Sequence, residues 1–479
     1  MKEYDDLLKL VVSHAKSYGF IFPSSQIYDG LSSIYDYGPY GVALKNNLKD
    51  YWWKAMVNIH KNIVGIDTSI LMHPTTWKSS GHVDSFNDLL IENKDSGYRY
   101  RVDVLLEDYC EKLQQKKISE RIVHSMEANN LSEIKKLIDE LGISDAKSGS
   151  KNWTDVRKFN LMFQTSIGSE STTLYLRPET AQGVFVNLMT VQKSTRMKIP
   201  FGIAQIGKVF RNEIIARQFI FRMREFEQME MQFFVAPGEE IKWYEYWKEI
   251  RLKWHLALGL SSDNYRVSKH TKLAHYANAA SDIEFRFPFG FREIEGIHSR
   301  TDFDLKNHQY FSGKKIQYFD AEKNKSYIPY VIETSLGLDR LFLVIFSSSL
   351  HKEILADGTS RFVLKLPEPI SPIKAAILPL LKKDGLPELA EKIFDEFKWK
   401  YSLVYEDKES IGKRYRRQDA IGTPFCFTID YESLRTNTLT VRYRDTMKQE
   451  RLSIKELDKF LEEKVSMKKL LTSCYPCQP

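Results

Sequence analysis

Cysteine is scarce in this 479-residue chain, with four in all, too few for a disulfide scaffold. Two of them, Cys474 and Cys477, form a single C-x-x-C near the C-terminus. A structural zinc site commonly takes two such pairs, so a chance pairing in a frayed tail is expected. No run approaches the roughly eighteen apolar residues that read as a membrane-spanning helix. The opening stretch, MKEYDDLLKL, lacks both a signal-peptide core and the Arg-rich, acid-poor look of a transit peptide, so a cytoplasmic protein with no membrane partner is expected. No internal repeat is visible. Neither sign of charge dominates: 70 Lys and Arg against 63 Asp and Glu leave a net +7, which permits a polyanionic partner without requiring one. The 42% hydrophobic and 28% charged content is ordinary for a soluble globular protein, and the length allows roughly two or three domains.

What is present concentrates between Pro200 and Phe234, PFGIAQIGKVFRNEIIARQFIFRMREFEQMEMQFF. Phe201 to Phe210 and Phe226 to Phe234 have the dense apolar and aromatic character of strands. Arg211, Glu213, Arg217, Arg222 and Arg224 crowd the connection between them. Gly202 to Lys208 spells the G-x-x-x-x-G-K of a phosphate-binding loop. Val209, however, stands where Ser or Thr would hold magnesium, and a strand continues where a helix N-terminus is needed. That motif is rejected. Phe210-Arg211-Asn212-Glu213, followed by Arg222, Phe226 and Glu230 at four-residue steps, instead resembles motif 2 of the class II aminoacyl-tRNA synthetases. The residue types suit the chemistry. A fixed guanidinium on an α-phosphate stabilises the charge that develops as a carboxylate attacks it. A carboxylate can accept an adenine amino group, and a ring can stack on the base. On this stretch alone, a hairpin with a solvated charged loop is the alternative.

In chain order, Asp5 to Tyr18 has helical periodicity, and Pro39 starts a long helix with Leu44, Leu48, Tyr51, Trp52, Ala55 and Ile59 on one apolar face. A strand is expected over Ile66 to Met72, ending at His73-Pro74. This pairing looks like class II motif 1, although an ordinary core helix reads equally well. Residues 104–152 shift to a Lys/Glu-interleaved pattern expected for a helical insertion. Arg177-Pro178-Glu179-Thr180 sits at a strand-to-helix turn, suiting either recognition of a small zwitterion or a structural ion pair capping the helix. Phe285 to Leu305 packs Arg292, Glu293, Glu295, His298, Arg300, Asp302 and Asp304 among aromatics, with His298 read as hydrogen-bonded structure rather than a base. Gly337-Leu338-Asp339-Arg340 matches motif 3, placing an arginine in the first turn of an apolar helix where an anion or Asp339 must answer it. A linker is expected over 351–371. Strands at Ala375–Leu378, Leu403–Glu406, Phe425–Ile429 and Leu439–Arg444 then alternate with helices near Leu386–Lys398, Gly412–Ala420 and Ile454–Glu462. The basic cluster Lys413, Arg414, Arg416 and Arg417 suits phosphate contacts or a solvated face.

Taken together, RPETAQGVF, the RNE run, FRMREFEQMEMQFF, REIEG with RTDFDL, and ETSLGLDR resemble the homodimeric glycyl-tRNA synthetase family, over nearly all the chain outside the insertion. The resemblance implies an α/β protein with an α+β catalytic core, an antiparallel sheet flanked by helices, and a C-terminal α/β anticodon-binding domain. The parts would be 1–103 with motif 1, the insertion at 104–152, a core at 153–350, the linker and a domain at 372–479. It implies that Arg211, Asn212, Glu213, Phe221, Arg222, Met223, Arg224, Glu225, Phe226, Glu293, Ile294, Gly337, Leu338, Asp339 and Arg340 line an ATP site, with Arg211 and Arg340 catalytic. Arg101, Glu179, Phe226, Glu227, Gln228, Met229, Glu230, Arg300, Glu333, Thr334, Ser335, Leu336 and Gly337 would surround glycine and its adenylate. Glu293 would meet Mg²⁺ through the ATP phosphates. The expected partners are ATP, glycine, tRNA(Gly) and a second copy of the chain. Glycine offers a selector only an ammonium, a carboxylate and the absence of a side chain, and Glu179, Glu230 and Glu333 can hold the ammonium and crowd out anything larger. A prolyl, threonyl or histidyl enzyme, or a non-catalytic tRNA-binding relative, is the competing reading. Such a relative should have lost Arg211, Glu213 or Arg340, and all three are present.

Overall fold

Helix α1 (Lys2–Ser17) puts Val11 and Ala15 into the same core as α2 (Pro39–Trp53), which starts on Pro39 and buries Leu44, Leu48, Tyr51 and Trp52. The computed structural model describes residues 2–113, 121, 125, 130–168, 172–214, 218–274, 276–355 and 357–475; Arg217 and Cys477 lie outside them. Strand β1 (Ile63–Gly65) follows, earlier than the expected Ile66–Met72, because it is Ile63 that is buried and pairs with Gly202.

Strands β2 (Asn87–Glu92), β3 (Arg99–Arg101) and β4 (Arg157–Asn160) form a sheet of order β3-β2-β4. Helices α3 (Val102–Leu113) and α4 (Leu131–Glu140) accompany it. Ile91, Tyr100, Leu106, Ile134, Ile138, Trp153 and Val156 make a hydrophobic cluster of their own here. The packed unit is therefore mixed α/β and wider than the helical insertion expected at 104–152, because Ile91 and Tyr100 of the strands and Val102, Trp153 and Val156 beside them belong to its core.

Helix α5 (Ala181–Thr195) leads into β5 (Phe201–Phe210) and β6 (Glu225–Val235), the hairpin read from the sequence. After α6 (Glu240–Leu256) come β7 (Tyr265–Lys269), β8 (Ala279–Phe287), β9 (Gly290–Thr301), α7 (Phe303–Ser312), β10 (Tyr330–Gly337) and α8 (Leu338–Ser349). The seven-stranded sheet runs β7-β8-β9-β10-β6-β5-β1, antiparallel except where β1 joins β5. One face packs on α2, α6 and α8. There Tyr51 stacks on Trp254 at 4.5 Å, and Glu295 is buried against Arg251 (2.6 Å) and His255 (2.7 Å). The G-x-x-x-x-G-K segment lies wholly within β5, so no phosphate-binding loop forms.

The expected linker is instead an ordered hairpin, β11 (Leu350–Ile354) and β12 (Ser360–Leu364). Val363 and Leu364 are buried, which a solvated linker would not allow. Next, β13 (Ala375–Pro379), α9 (Leu386–Phe397), β14 (Leu403–Tyr405), α10 (Ile411–Ile421), β15 (Phe425–Ile429), α11 (Tyr431–Thr436), β16 (Thr438–Tyr443), β17 (Gln449–Ser453) and α12 (Leu457–Val465) complete a second layered unit of strand order β14-β13-β15-β16-β17. Helix α13 (Lys468–Cys474) returns to the first core. Cys474 is buried, its thiol 3.4 Å from the Tyr51 hydroxyl, so this end of the C-x-x-C is packed rather than frayed. Among the described residues no helix is long and apolar enough to cross a membrane.

The two units are riveted together by charge. Asp419 on α10 accepts from Arg361 of the hairpin (2.6 Å) and from Arg442 of β16 (2.8 and 2.9 Å), all three side chains being buried. Asp419→Asn leaves the buried Arg442 guanidinium without its counter-charge and Arg361 with Glu353 alone. It is expected to cost about 3–5 kcal/mol, visible as faster hydrogen exchange of the β15 amides.

Candidate active site

The sheet face opposite α2 and α8 carries a cleft of about 530 Å³. Strand alternation decides which residues reach it. Phe226, Gln228 and Glu230 of β6 and Glu333, Ser335 and Gly337 of β10 line it, with Gln228 opposite Gly337 and Glu230 opposite Ser335. Their neighbours in sequence turn the other way. Met229 and Leu336 are fully buried in the core, Thr334 is fully buried, and Glu227 meets Lys45 (2.7 Å) and Lys49 (2.6 Å). Those four were expected around glycine, and the two-residue period of a strand removes them.

At one end of the cleft, Arg211 is fixed by its Nε donating to the Pro178 carbonyl (3.1 Å), with its guanidinium between the Phe86 and Phe226 rings (5.4 and 5.3 Å). Glu213 is buried with Oε2 lacking a hydrogen-bond partner, Arg222 standing 3.9 Å away. Phe221, Met223 and Glu293 also line the cleft. Arg340, in the first turn of α8, lies over the Phe221 ring (4.6 Å) and donates to the Glu293 carbonyl and carboxylate (3.0 Å each). Asp339 borders the cleft, but both its oxygens are engaged. Oδ1 accepts from Lys45 (2.9 Å) and Tyr37, and Oδ2 from the Glu227 amide (2.8 Å). Leu338 and Ile294 are buried in the core. Arg224 is spent on the Ser32 and Glu213 carbonyls, and Glu225 pairs with Lys208. Asn212 is also absent from the lining; its amide donates to the Leu161 carbonyl (2.8 Å).

The other end is rich in carboxylates. Glu333 accepts from Arg300 (3.0 Å), His298 Nδ1 (3.0 Å) and Gln232 (2.9 Å). Although burial opposes ionisation, Arg300 and His298 hold its carboxyl below the usual range, and Glu333 in turn raises the His298 pKa. Arg300 also grips Asp304 with two bonds (2.9 and 3.1 Å) and lies 4.3 Å from the Tyr276 ring. Glu179 accepts from Gln182 (2.9 Å) and stands 3.4 Å from His82; despite burial, His82 and Arg300 hold it well below its ordinary value. Glu230 differs. Among the described residues its oxygens accept only from the Thr180 hydroxyl (2.5 Å) and the Ser335 hydroxyl (2.6 Å), and burial, reinforced by the charges of Glu333 and Glu179, pushes its pKa up to about 8. Arg101 reaches the cleft from β3, already paired with Asp88 (3.2 Å) and Asp103 (2.6 Å).

Two expected cationic roles change. Arg177 stays out of the cleft: Nε donates to the Lys208 carbonyl (2.7 Å) and Nη1 to the Thr68 carbonyl (2.7 Å), and a Cβ on Gly207 would overlap its Nη2. It is neither a ligand nor a helix-capping ion. Arg414 is buried and donates to the Pro379 (2.8 Å), Glu406 (2.9 Å) and Leu380 (3.2 Å) carbonyls, while Arg417 pairs with Glu406 and Glu409. Arg414 is therefore withdrawn from phosphate contact. His82, Phe86, Tyr276 and Lys45 were not found by sequence reasoning. Each acts on a residue far along the chain, and no local spacing marks it.

Three regions match family models: residues 163–349 the "tRNA synthetase class II core domain (G, H, P, S and T)", residues 374–464 the "Anticodon binding domain", and residues 88–121 and 113–161 the "Glycyl-tRNA synthetase insertion domain 1". The chain is 52% identical over 468 residues to a Glycine--tRNA ligase of Chlorobaculum tepidum, covering 95% of this chain and 99% of that one. It is 51% identical to that of Staphylococcus haemolyticus, covering 96% and 99%. Among solved structures it is similar to one described as the RNA binding domain of threonyl-tRNA synthetase from Cryptosporidium parvum Iowa II. That match has a TM-score of 0.63 and 16% identity, covering 94% of this chain and 97% of that one. A prolyl-tRNA synthetase from Cryptosporidium parvum matches with a TM-score of 0.60 and 12% identity, covering 97% and 78%. At these identities the structural likenesses speak for the fold.

Lys45 is the only cation bonded to both Asp339 and Glu227 among the described residues. Lys45→Met leaves the buried Asp339 without its cation and Glu227 with Lys49 alone, and is expected to cost about 3–5 kcal/mol, measured as a lower thermal midpoint. Lys49→Met removes only the partly exposed partner of Glu227 and is expected to cost under about 1 kcal/mol.

Proposed function

Because the chain belongs to the glycine–tRNA ligase family, we infer that its cleft activates glycine with ATP and then passes the glycyl group to tRNA. The enzyme is an aminoacyl-tRNA ligase: glycine and ATP give glycyl-adenylate and pyrophosphate, and the adenylate acylates the 3′ end of tRNA with release of AMP. The observation that carries the glycine pocket is Glu230, a buried carboxylate hydrogen-bonded to two hydroxyls and to no cation among the described residues. An ammonium group is the partner such a site calls for. Glu179 and Glu333 flank the same point, and Arg300 and Tyr276, 4.3 Å apart, line the cleft beside them; in this reading that wall meets any side chain on the α-carbon. Exclusion by contact rejects alanine more sharply than a roomy apolar pocket could.

In the proposed mechanism the glycine carboxylate attacks the α-phosphorus of ATP and pyrophosphate leaves. Arg211 lies beside the α-phosphate and stabilises the charge that develops there, and Arg340 holds the γ-phosphate end. Glu213 Oε2, buried without a hydrogen-bond partner, suits the adenine amino group, and Phe226 stacks on the base. Glu293 offers a hard oxygen donor at the cleft beside Arg340. It is the residue that would hold Mg²⁺ through the ATP phosphates, where the ion would supply further positive charge. In the second step a terminal ribose hydroxyl of tRNA(Gly) attacks the acyl carbon. Ser335 is already committed to Glu230 and is no nucleophile; positioning supplies most of the rate. Residues 374–464 meet the anticodon end. We assign the enzyme to the cytoplasm and to a homodimer formed through α2, as the family resemblance implies.

ATP–pyrophosphate exchange with glycine, alanine, serine, proline, threonine and histidine offered separately is expected to proceed with glycine alone. Exchange with another amino acid overturns the pocket and keeps the class. Arg211→Ala is expected to lower exchange by about 10²–10³-fold, and Glu179→Ala to raise the KM for glycine with a smaller change in kcat.

Glu230 gives a pH signature. In the empty pocket it holds its proton below about pH 8. An incoming ammonium favours the carboxylate, so glycine binding releases that proton, and affinity rises with pH until about 8 before levelling. Calorimetry at pH 7 in buffers of different ionisation enthalpy is expected to detect this proton release, and Glu230→Gln to abolish it.

A further inference from the structure

We propose that His270, Asp282 and His298 form a binding site for a divalent transition metal of the zinc class, beside the glycine pocket and separate from any magnesium carried by ATP. One nitrogen from each histidine and one oxygen of Asp282 lie within 4.8 Å of one another. The sheet builds this convergence. The His270 amide donates to the Ala280 carbonyl (3.0 Å), and His298 is the register partner of Ala280 on the other side. His270, Ala280 and His298 therefore form one row across β7, β8 and β9. Asp282, two residues along from Ala280, projects from the same face.

Small residues keep the space between them open. Ala280 has only a methyl group to place in the row, and Gly296 is the register partner of Asp282. A Cβ at Gly296 would stand 3.3 Å from His298 Nε2 and 3.7 Å from Asp282 Oδ1, so the glycine leaves a hollow between the two donor atoms. His298 has its other nitrogen, Nδ1, on the Glu333 carboxylate at 3.0 Å. Metal-bound imidazoles are characteristically oriented by such a carboxylate, and here Glu333 is itself held by Arg300 and Gln232. At present His270 Nε2 meets Asp282 Oδ2 at 2.8 Å. Ligand atoms around tetrahedral zinc stand about 3.3 Å apart, from metal–ligand bonds of about 2 Å, so an entering ion takes the place of that hydrogen bond.

Two imidazoles and one carboxylate select zinc and its neighbours over magnesium, which prefers all-oxygen shells. Three protein ligands leave a fourth position open, and His298 and Gly296 border the cleft. Occupancy fixes His298 with Nε2 on the metal and Nδ1–H donated to Glu333, and so ties the metal site to the pocket that receives glycine.

The test uses untagged full-length protein, stripped with EDTA and titrated with Zn²⁺ against a chromophoric chelator, then with Co²⁺ for its visible absorption. The expected result is one Zn²⁺ per chain, undisturbed by millimolar Mg²⁺, with a tetrahedral Co²⁺ spectrum. Both His270→Gln and Asp282→Asn are expected to weaken binding at least tenfold while keeping the wild-type circular dichroism. Wild-type affinity no higher than that of the folded variants overturns the proposal, as does full zinc retention by both, which would put the ion elsewhere on the chain.

Discussion

The Nζ of Lys45 joins three distant parts of the chain. It lies 2.9 Å from Asp339 at the head of α8 and 2.7 Å from Glu227 on β6, almost out of water. Burying three charges is costly and is repaid only by close geometry and further hydrogen bonds. Both are present: Tyr37 and the Glu227 amide complete Asp339, and Lys49 completes Glu227. The long helix, the central hairpin and the helix bearing Arg340 are thereby held in one arrangement behind the sheet. Arg211 and Arg340 both line the cleft, and contacts made on its reverse side hold the elements that carry them.

The cleft face has the opposite character. Where the reverse side matches its charges, the front leaves them unmatched: Glu213 has a bare oxygen, Gln228 a bare carbonyl, and Glu230 only hydroxyls. Unsatisfied buried groups are destabilising unless something arrives to satisfy them. In a site that must bind a nucleotide and a zwitterion, that deficit in the empty enzyme is part of the affinity for the filled one. Glu333 escapes the deficit because Arg300 and His298 are already bound to it, which leaves Glu230 as the carboxylate most changed by an incoming ammonium.

Much of this architecture was legible along the chain. The ends of β5 and β15 fall where composition puts them, and α8 begins where Gly337-Leu338-Asp339-Arg340 implies. Period and turn chemistry are local, and local signals survive in a single sequence. What failed was non-local. A motif names a run of consecutive residues, but a strand shows only every second one to the substrate, so Glu227, Met229, Thr334 and Leu336 dropped out. Arg414 reads as a basic surface until three carbonyls from other elements surround it. Lys45 and Asp339 stand 294 positions apart, and the hairpin at 350–364 looked like a linker because the core that buries it comes from both units.

Gly207 and Arg177 constrain how such a chain can change over generations. Any side chain at 207 meets the Arg177 guanidinium, whereas shortening Arg177 first leaves only carbonyls without a donor and an empty space. The two positions are therefore not free to drift in either order. A lineage that loses the arginine can afterwards accept alanine or serine at 207, and one that changes the glycine first must push the Arg177 guanidinium off the Lys208 and Thr68 carbonyls.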